Sequence, residues 1–149
     1  MRRGAAILFA MLVWIGAVAP ALADTMAQPA PDWDNPRKIM LQLTENNAKR
    51  ASGILSNAFN LQKFYGADNV KIAIVAYAGG VHQLLKAESE VADKVEALLM
   101  YDAEVIACRN TMSSLGASDA DLLPGVTTAT AGIAEIVERK MQGWHYIVP

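Results

Sequence analysis

Three features of this 149-residue sequence predict an α/β fold: a three-layer α/β/α sandwich with a mainly parallel five-stranded sheet. The stretch Val70-Lys-Ile-Ala-Ile-Val-Ala-Tyr77 is almost continuously apolar, as a strand covered on both faces must be. Ala51, Ile54, Leu55, Ala58 and Leu61 recur at three-and-four spacing, the mark of a helix with one buried side. Strand-like and helix-like segments alternate as β-α-β-α-β-α-β-α-β. That order specifies a parallel sheet, because each parallel return needs a crossover over one face.

The chain opens with Met1-Arg2-Arg3, an uncharged apolar run from Gly4 to Ala19, then Pro20 and the small-residue pattern Ala21-Leu22-Ala23. This is the layout of a secretory signal peptide over residues 1–23, cleaved before Asp24. An uncleaved anchor is the competing reading, since ~20 apolar residues suffice to span a bilayer. Pro20 and its small neighbours favour cleavage. The mature protein is therefore expected in the periplasm or outside the cell, with no membrane attachment. Losing Arg2 and Arg3 leaves 13 − 2 = 11 basic against 15 acidic residues, a formal charge of −4. With no basic run longer than two residues, the mature chain has no footprint for nucleic acid or an anionic membrane.

Asp24 to Pro36 holds three of the six prolines and no periodicity, so it is expected to be a flexible N-terminal arm. Trp33 is its one candidate for docking, on the domain or on a neighbouring subunit. Residues 37–149 form the single domain. Lys38–Thr44 is predicted as the first strand, and Asn46 or Asn47 as the cap of the helix that follows. Gly66 ends that helix in the role glycine usually fills. After the Val70–Tyr77 strand, Ala78-Gly79-Gly80 makes a tight turn and Val81–Lys86 a short helical piece. Ser89 is placed to cap a helix with Val91, Val95, Leu98 and Leu99 inward. Val105-Ile-Ala107 is a short buried strand that gives way at Cys108-Arg109-Asn110-Thr111 to a turn, followed by a loop over Ser113–Gly125. In that loop a capped turn around Ser118 explains Asp119 and Asp121 better than a cation site does. Val126–Thr130 is the fourth strand. A last helix follows with Ile133, Ile136, Val137 and Met141 inward. Trp144–Val148 is the fifth strand.

Cys108 is the only cysteine, so an exported chain cannot close an internal disulfide. Such a thiol is buried and inert, linked between chains, or kept for its reactivity. The predicted topology brings the loops Thr44–Asn47, Gly79–His82 and Cys108–Thr111 to one sheet edge, where open α/β sheets gather ligands. There Cys108 adjoins the start of a helix or turn and has Arg109 beside it, and both features depress a thiol pKa from about 8.5. His82 comes within reach as a base if the second and third strands are neighbours; a surface histidine is the plainer reading. His145, inside a strand, reads as structural. No Gly-rich phosphate loop, Ser nucleophile elbow, HExxH, paired-cysteine or CxxC motif is present, so hydrolase, NAD, zinc and dithiol chemistries lack support. No cofactor and no metal are expected.

Several stretches together carry a resemblance: Val70–Val81, Ala107-Cys-Arg-Asn-Thr-Met112, Asp121-Leu-Leu-Pro-Gly-Val126, Ala131-Gly132 and Gly143-Trp-His-Tyr-Ile-Val-Pro149. From about Lys38 to Pro149 the chain resembles the DsrE/DsrF-like family of small α/β proteins associated with sulfur oxidation and sulfur relay, closest to its exported single-domain branch. The resemblance implies a doubly wound domain assembling into homo-oligomers, often trimers or hexamers. It also implies a cysteine carrying sulfane sulfur as a persulfide, with a sulfur donor or acceptor protein as partner. Cys108 matches that cysteine, and Asn110 and Thr111 match the loop around it. Arg109, Gly79, Gly80 and His82 complete the candidate site. A non-catalytic binding module with a structural Cys108 is the alternative.

Overall fold

Five strands form one sheet: β1 (Arg37–Leu43), β2 (Val70–Ala76), β3 (Glu104–Cys108), β4 (Thr127–Ala129) and β5 (His145–Ile147). They lie in the order β4-β3-β2-β1-β5, and every neighbouring pair is parallel. The computed structural model describes residues 25–149. The expected signal peptide lies outside the described residues.

Sheet order dictates which face each helix covers. The first three crossovers step the chain steadily from β1 to β4, and the last returns it past β1 to β5. With right-handed crossovers, a reversal of direction puts the last helix on the opposite face. Accordingly α1 (Ala48–Tyr65) and α2 (Ala92–Met100) bury Leu55, Val95 and Leu98 with Leu41, Ile72 and Ile74 on one side, joined by Met112 of α3 (Arg109–Leu115). Ile136 of α4 (Gly132–Met141) and Trp144 cover Met40, Ala73, Val75 and Ile106 on the other. Every β2 residue except Lys71 is buried, as its apolar run requires.

Local signals act where the residues place them. The Asn47 side chain accepts the Arg50 N–H at 2.9 Å, capping α1, and Gly66 ends that helix at φ +85°. The second crossover is split into a 3-10 turn at Ala78–Leu84 and then α2. Gly79 and Gly80 are there for close approach: a Cβ on Gly80 would lie 2.0 Å from the Leu43 carbonyl oxygen, and one on Gly79 2.7 Å from the Asn46 nitrogen. The Ser118 N–H and hydroxyl both donate to Asp121, at 2.8 and 2.7 Å, making the predicted capped turn.

Three expectations fail. Ser89 does not cap α2: its hydroxyl accepts the Val91 N–H at 3.3 Å, and the helix starts after Val91 with no side-chain cap. The turn at Arg109–Thr111 and the start of the expected loop are instead helix α3, ended by Gly116 in the left-handed region. Its sequence, Arg-Asn-Thr-Met-Ser-Ser-Leu, is rich in weak helix formers and buries only Met112, so no apolar stripe announces it. On α4, Ile133, Val137 and Met141 were expected inward but are exposed, Met141 by 82%. The buried stripe is Gly132 and Ile136, one residue away and so rotated by about 100°. A small residue next to the sheet lets the helix lie close, and the bulkier row then turns outward.

Ahead of β1, the Arg37 guanidinium donates to the carbonyls of Ala27 and Pro29 at 2.6 and 2.7 Å. Pro31 is buried, while Trp33 is largely exposed. Among the described residues no helix is long and apolar enough to cross a membrane.

Candidate functional site

Cys108 ends β3 and immediately precedes α3, so the buried run Val105-Ile-Ala107 fixes its backbone at the carboxyl edge of the sheet. Its side chain is 6% exposed. The β3–β4 register aligns it with Ala129, and the Asn110 N–H donates to the Thr130 carbonyl at 3.1 Å, so the loop leading into α4 lies against the start of α3. The thiol therefore stands where two helices begin.

Burial pushes the Cys108 thiol up. The Thr111 hydroxyl, then the backbone N–H groups of Gly132, Thr111 and Asn110, pull the other way and prevail, holding its pKa below the ordinary thiol value. Among the described residues Cys108 closes no side-chain cap on α3, so these donors act as oriented dipoles facing the sulfur. The Asn110 amide, already engaged with Thr130, contributes least.

The Thr111 hydroxyl is itself held. Its oxygen accepts the Ala78 N–H at 3.2 Å, leaving the hydroxyl proton free to face the sulfur. Ala78 adopts φ +48°, a left-handed conformation that costs a non-glycine residue about 1 kcal/mol or more. The β2 turn is thus strained at a residue that holds Thr111 in the Cys108 site.

Tyr77 forms the adjoining wall. Its hydroxyl and that of Tyr146 both donate to Gln42 Oε1, the Tyr77 bond at 2.8 Å. Burial, and then neighbouring Tyr77, raise the Tyr146 phenol above its usual pKa. Gln42, Tyr77, Tyr146 and Gly132 join the site only in the folded chain. Gln42 was a visible anomaly, a polar residue inside the apolar run of β1; the others acquire meaning only from the sheet order.

Of the candidate residues, Cys108, Asn110 and Thr111 come together. Arg109 adjoins Cys108 in sequence, but its guanidinium donates to Asp119 at 3.0 Å and to the Thr128 hydroxyl. It reaches along the sheet edge toward β4. His82 Nδ1 pairs with Glu88 at 2.6 Å. Gly79 and Gly80 are occupied in packing against the turn after β1. Among the described residues no group of three or more His, Cys, Asp or Glu is placed to hold a metal.

Comparison with known proteins bears on the whole domain. The structure of the protein of unknown function MTH1491 from Methanobacterium thermoautotrophicum is 33% identical, with a TM-score of 0.72 over 76% of this chain and 99% of its own. The YchN protein of E. coli shares the fold at 14% identity and a TM-score of 0.59, again over 76% of this chain and 99% of its own. No curated protein matches the chain. The model of the DsrE/DsrF-like family matches residues 38–149, nearly all of the described domain, and the chain belongs to that family.

Proposed function

We propose that this protein is an exported sulfur carrier in which Cys108 accepts sulfane sulfur as a persulfide and passes it on. The observation that carries the reading is the Cys108 thiol, held below its ordinary pKa by Thr111 and by backbone amides at the carboxyl edge of the sheet. A thiolate is the attacking form in sulfur exchange. Family membership, with its link to sulfur relay, supplies the context.

The step is a displacement at sulfur. The Cys108 thiolate attacks the outer sulfur of a donor persulfide or polysulfide, a new S–S bond forms, and the donor's S–S bond breaks, releasing its thiolate. Oxidation states balance within the exchange. An acceptor thiolate then attacks the outer sulfur on Cys108 and regenerates the Cys108 thiolate. The donors that lower the thiol pKa also stabilise Cys108 as the leaving group in this second step. The protein needs no metal or cofactor for it.

Its site of action is the periplasm or the exterior, after removal of residues 1–23, and its working form is a homo-oligomer, a trimer or hexamer. The outward apolar row Ile133, Val137 and Met141 supports assembly, because such a row costs solubility unless it is covered. The test is intact-protein mass spectrometry after incubation with polysulfide. Wild type should gain sulfur at Cys108 and Cys108→Ser should gain none; a wild type that stays unmodified rejects the reading.

One observation favours the alternative, a binding module with a packing cysteine: Cys108 belongs to the larger hydrophobic core. That alternative predicts slow alkylation of the native thiol and unchanged assembly in Cys108→Ala.

A further inference from the structure

We infer that Gly132 is a positioning residue for Cys108: its missing side chain lets the N-terminus of α4 close against the sulfur, so that the thiolate takes the place of that helix's absent cap. The inference rests on the thiolate reading of Cys108.

Gly132 is the first residue of α4, and it is buried. Glycine is a poor helix former, and this one has no left-handed φ to justify it. Packing justifies it instead. A Cβ at this position would lie 3.1 Å from Tyr77 Cβ, 3.3 Å from Cys108 Cβ and 3.4 Å from Tyr77 Cδ1. Tyr77 is pinned through its hydroxyl to Gln42, and Cys108 by its strand. The start of α4 is the part that would yield.

That helix start is also electrostatically open. The N-cap residue is Ala131, whose side chain cannot accept a hydrogen bond, and the first-turn acid Glu135 is paired with Arg139 at 2.6 Å. Among the described residues the orphan N–H groups of α4 therefore have no side-chain cap, and the first-turn acid Glu135 is shared with Arg139. Cys108 lies against that end, with the Gly132 N–H among the groups facing its sulfur. The other helix end is pinned separately: Arg139 donates to Glu104 at 3.1 and 2.6 Å and stacks over Trp144 at 4.6 Å. A substitution at Gly132 should thus disturb the thiol end of α4 first.

The experiment is the pH dependence of iodoacetamide alkylation of the full chain, with thermal melting in parallel. Gly132→Ala should raise the midpoint of the alkylation profile by about half a pH unit. Ala131→Asn keeps Gly132 and offers α4 a side-chain cap that competes with the thiolate. It should raise the midpoint too, while the melting temperature stays level or climbs. A structural role alone would move melting and leave the midpoint in place. A wild-type midpoint below that of the unfolded chain, with folded Gly132→Ala or Ala131→Asn unshifted, overturns the inference and spares the thiolate reading. A wild-type midpoint at or above that of the unfolded chain overturns both.

Discussion

Two turns at the same edge of the sheet use glycine for opposite ends. After β2, Gly79 and Gly80 let backbone meet backbone: the Leu43 carbonyl and the Asn46 amide occupy the space that a Cβ would need. Nothing reactive is left there, and the nearby His82 is paired with Glu88. After β4, Gly132 lets a helix end meet side chains, Tyr77 and Cys108, whose Cβ atoms would lie 3.1 and 3.3 Å from an added Cβ. The same absence of a methyl group seals one turn and polarises the other. Close approach by itself therefore does not mark a site; what matters is whether the approaching group meets a carbonyl already in use or a nucleophile.

The sealed turn should be the less forgiving. Gly80→Ala forces a Cβ to 2.0 Å from a backbone oxygen that cannot retreat without breaking β1, and the loss should exceed about 4 kcal/mol. Urea denaturation checks this, and a midpoint close to wild type would show that the turn has slack. The polarised turn should bend more cheaply. Thr111→Val removes the acceptor of the Ala78 N–H and should cost about 1 kcal/mol by the same measurement. It should also raise the alkylation midpoint of Cys108, because the Thr111 hydroxyl is the largest influence opposing burial. A midpoint that stays put would remove Thr111 from the site. Arg109→Ala should do least. Its pair with Asp119 is exposed at both ends, so stability should fall by no more than about 0.5 kcal/mol. The thiol midpoint should hold, since the guanidinium is directed to Asp119 and Thr128; a clear rise would mean that Arg109 steadies the thiolate after all.

Most of the fold was legible because hydrophobic pattern and crossover rules carry long-range information. The run Val70–Tyr77 read as an interior strand, and Gly66 with Asn46 or Asn47 marked the ends of α1. Helix α3 was not legible, since seven residues with one buried side chain leave no periodic trace. Nor was the outward turn of Ile133, Val137 and Met141, because an apolar row signals a covered face without saying whether the sheet or a neighbour covers it. At the site, Cys108 stood out as the single thiol at the end of a buried strand. The groups that tune it come from elsewhere in the chain: Thr111 is held by Ala78, and Gly132 arrives from the far side of β4. Their convergence depends on the β4-β3-β2 order, which local patterning does not reveal.

The most direct test is the pH profile of Cys108 alkylation in the native protein against the same chain in denaturant. Because folding lowers this pKa, the thiolate contributes stability that is fully present above the unfolded value, about 8.5, and is lost as pH falls through the folded value. The native midpoint should therefore lie below the denatured one, and the stability advantage of wild type over Cys108→Ser should widen as pH rises between the two. A native midpoint at or above the denatured one would contradict the account, leaving Cys108 as a packed thiol with no special readiness to carry sulfur.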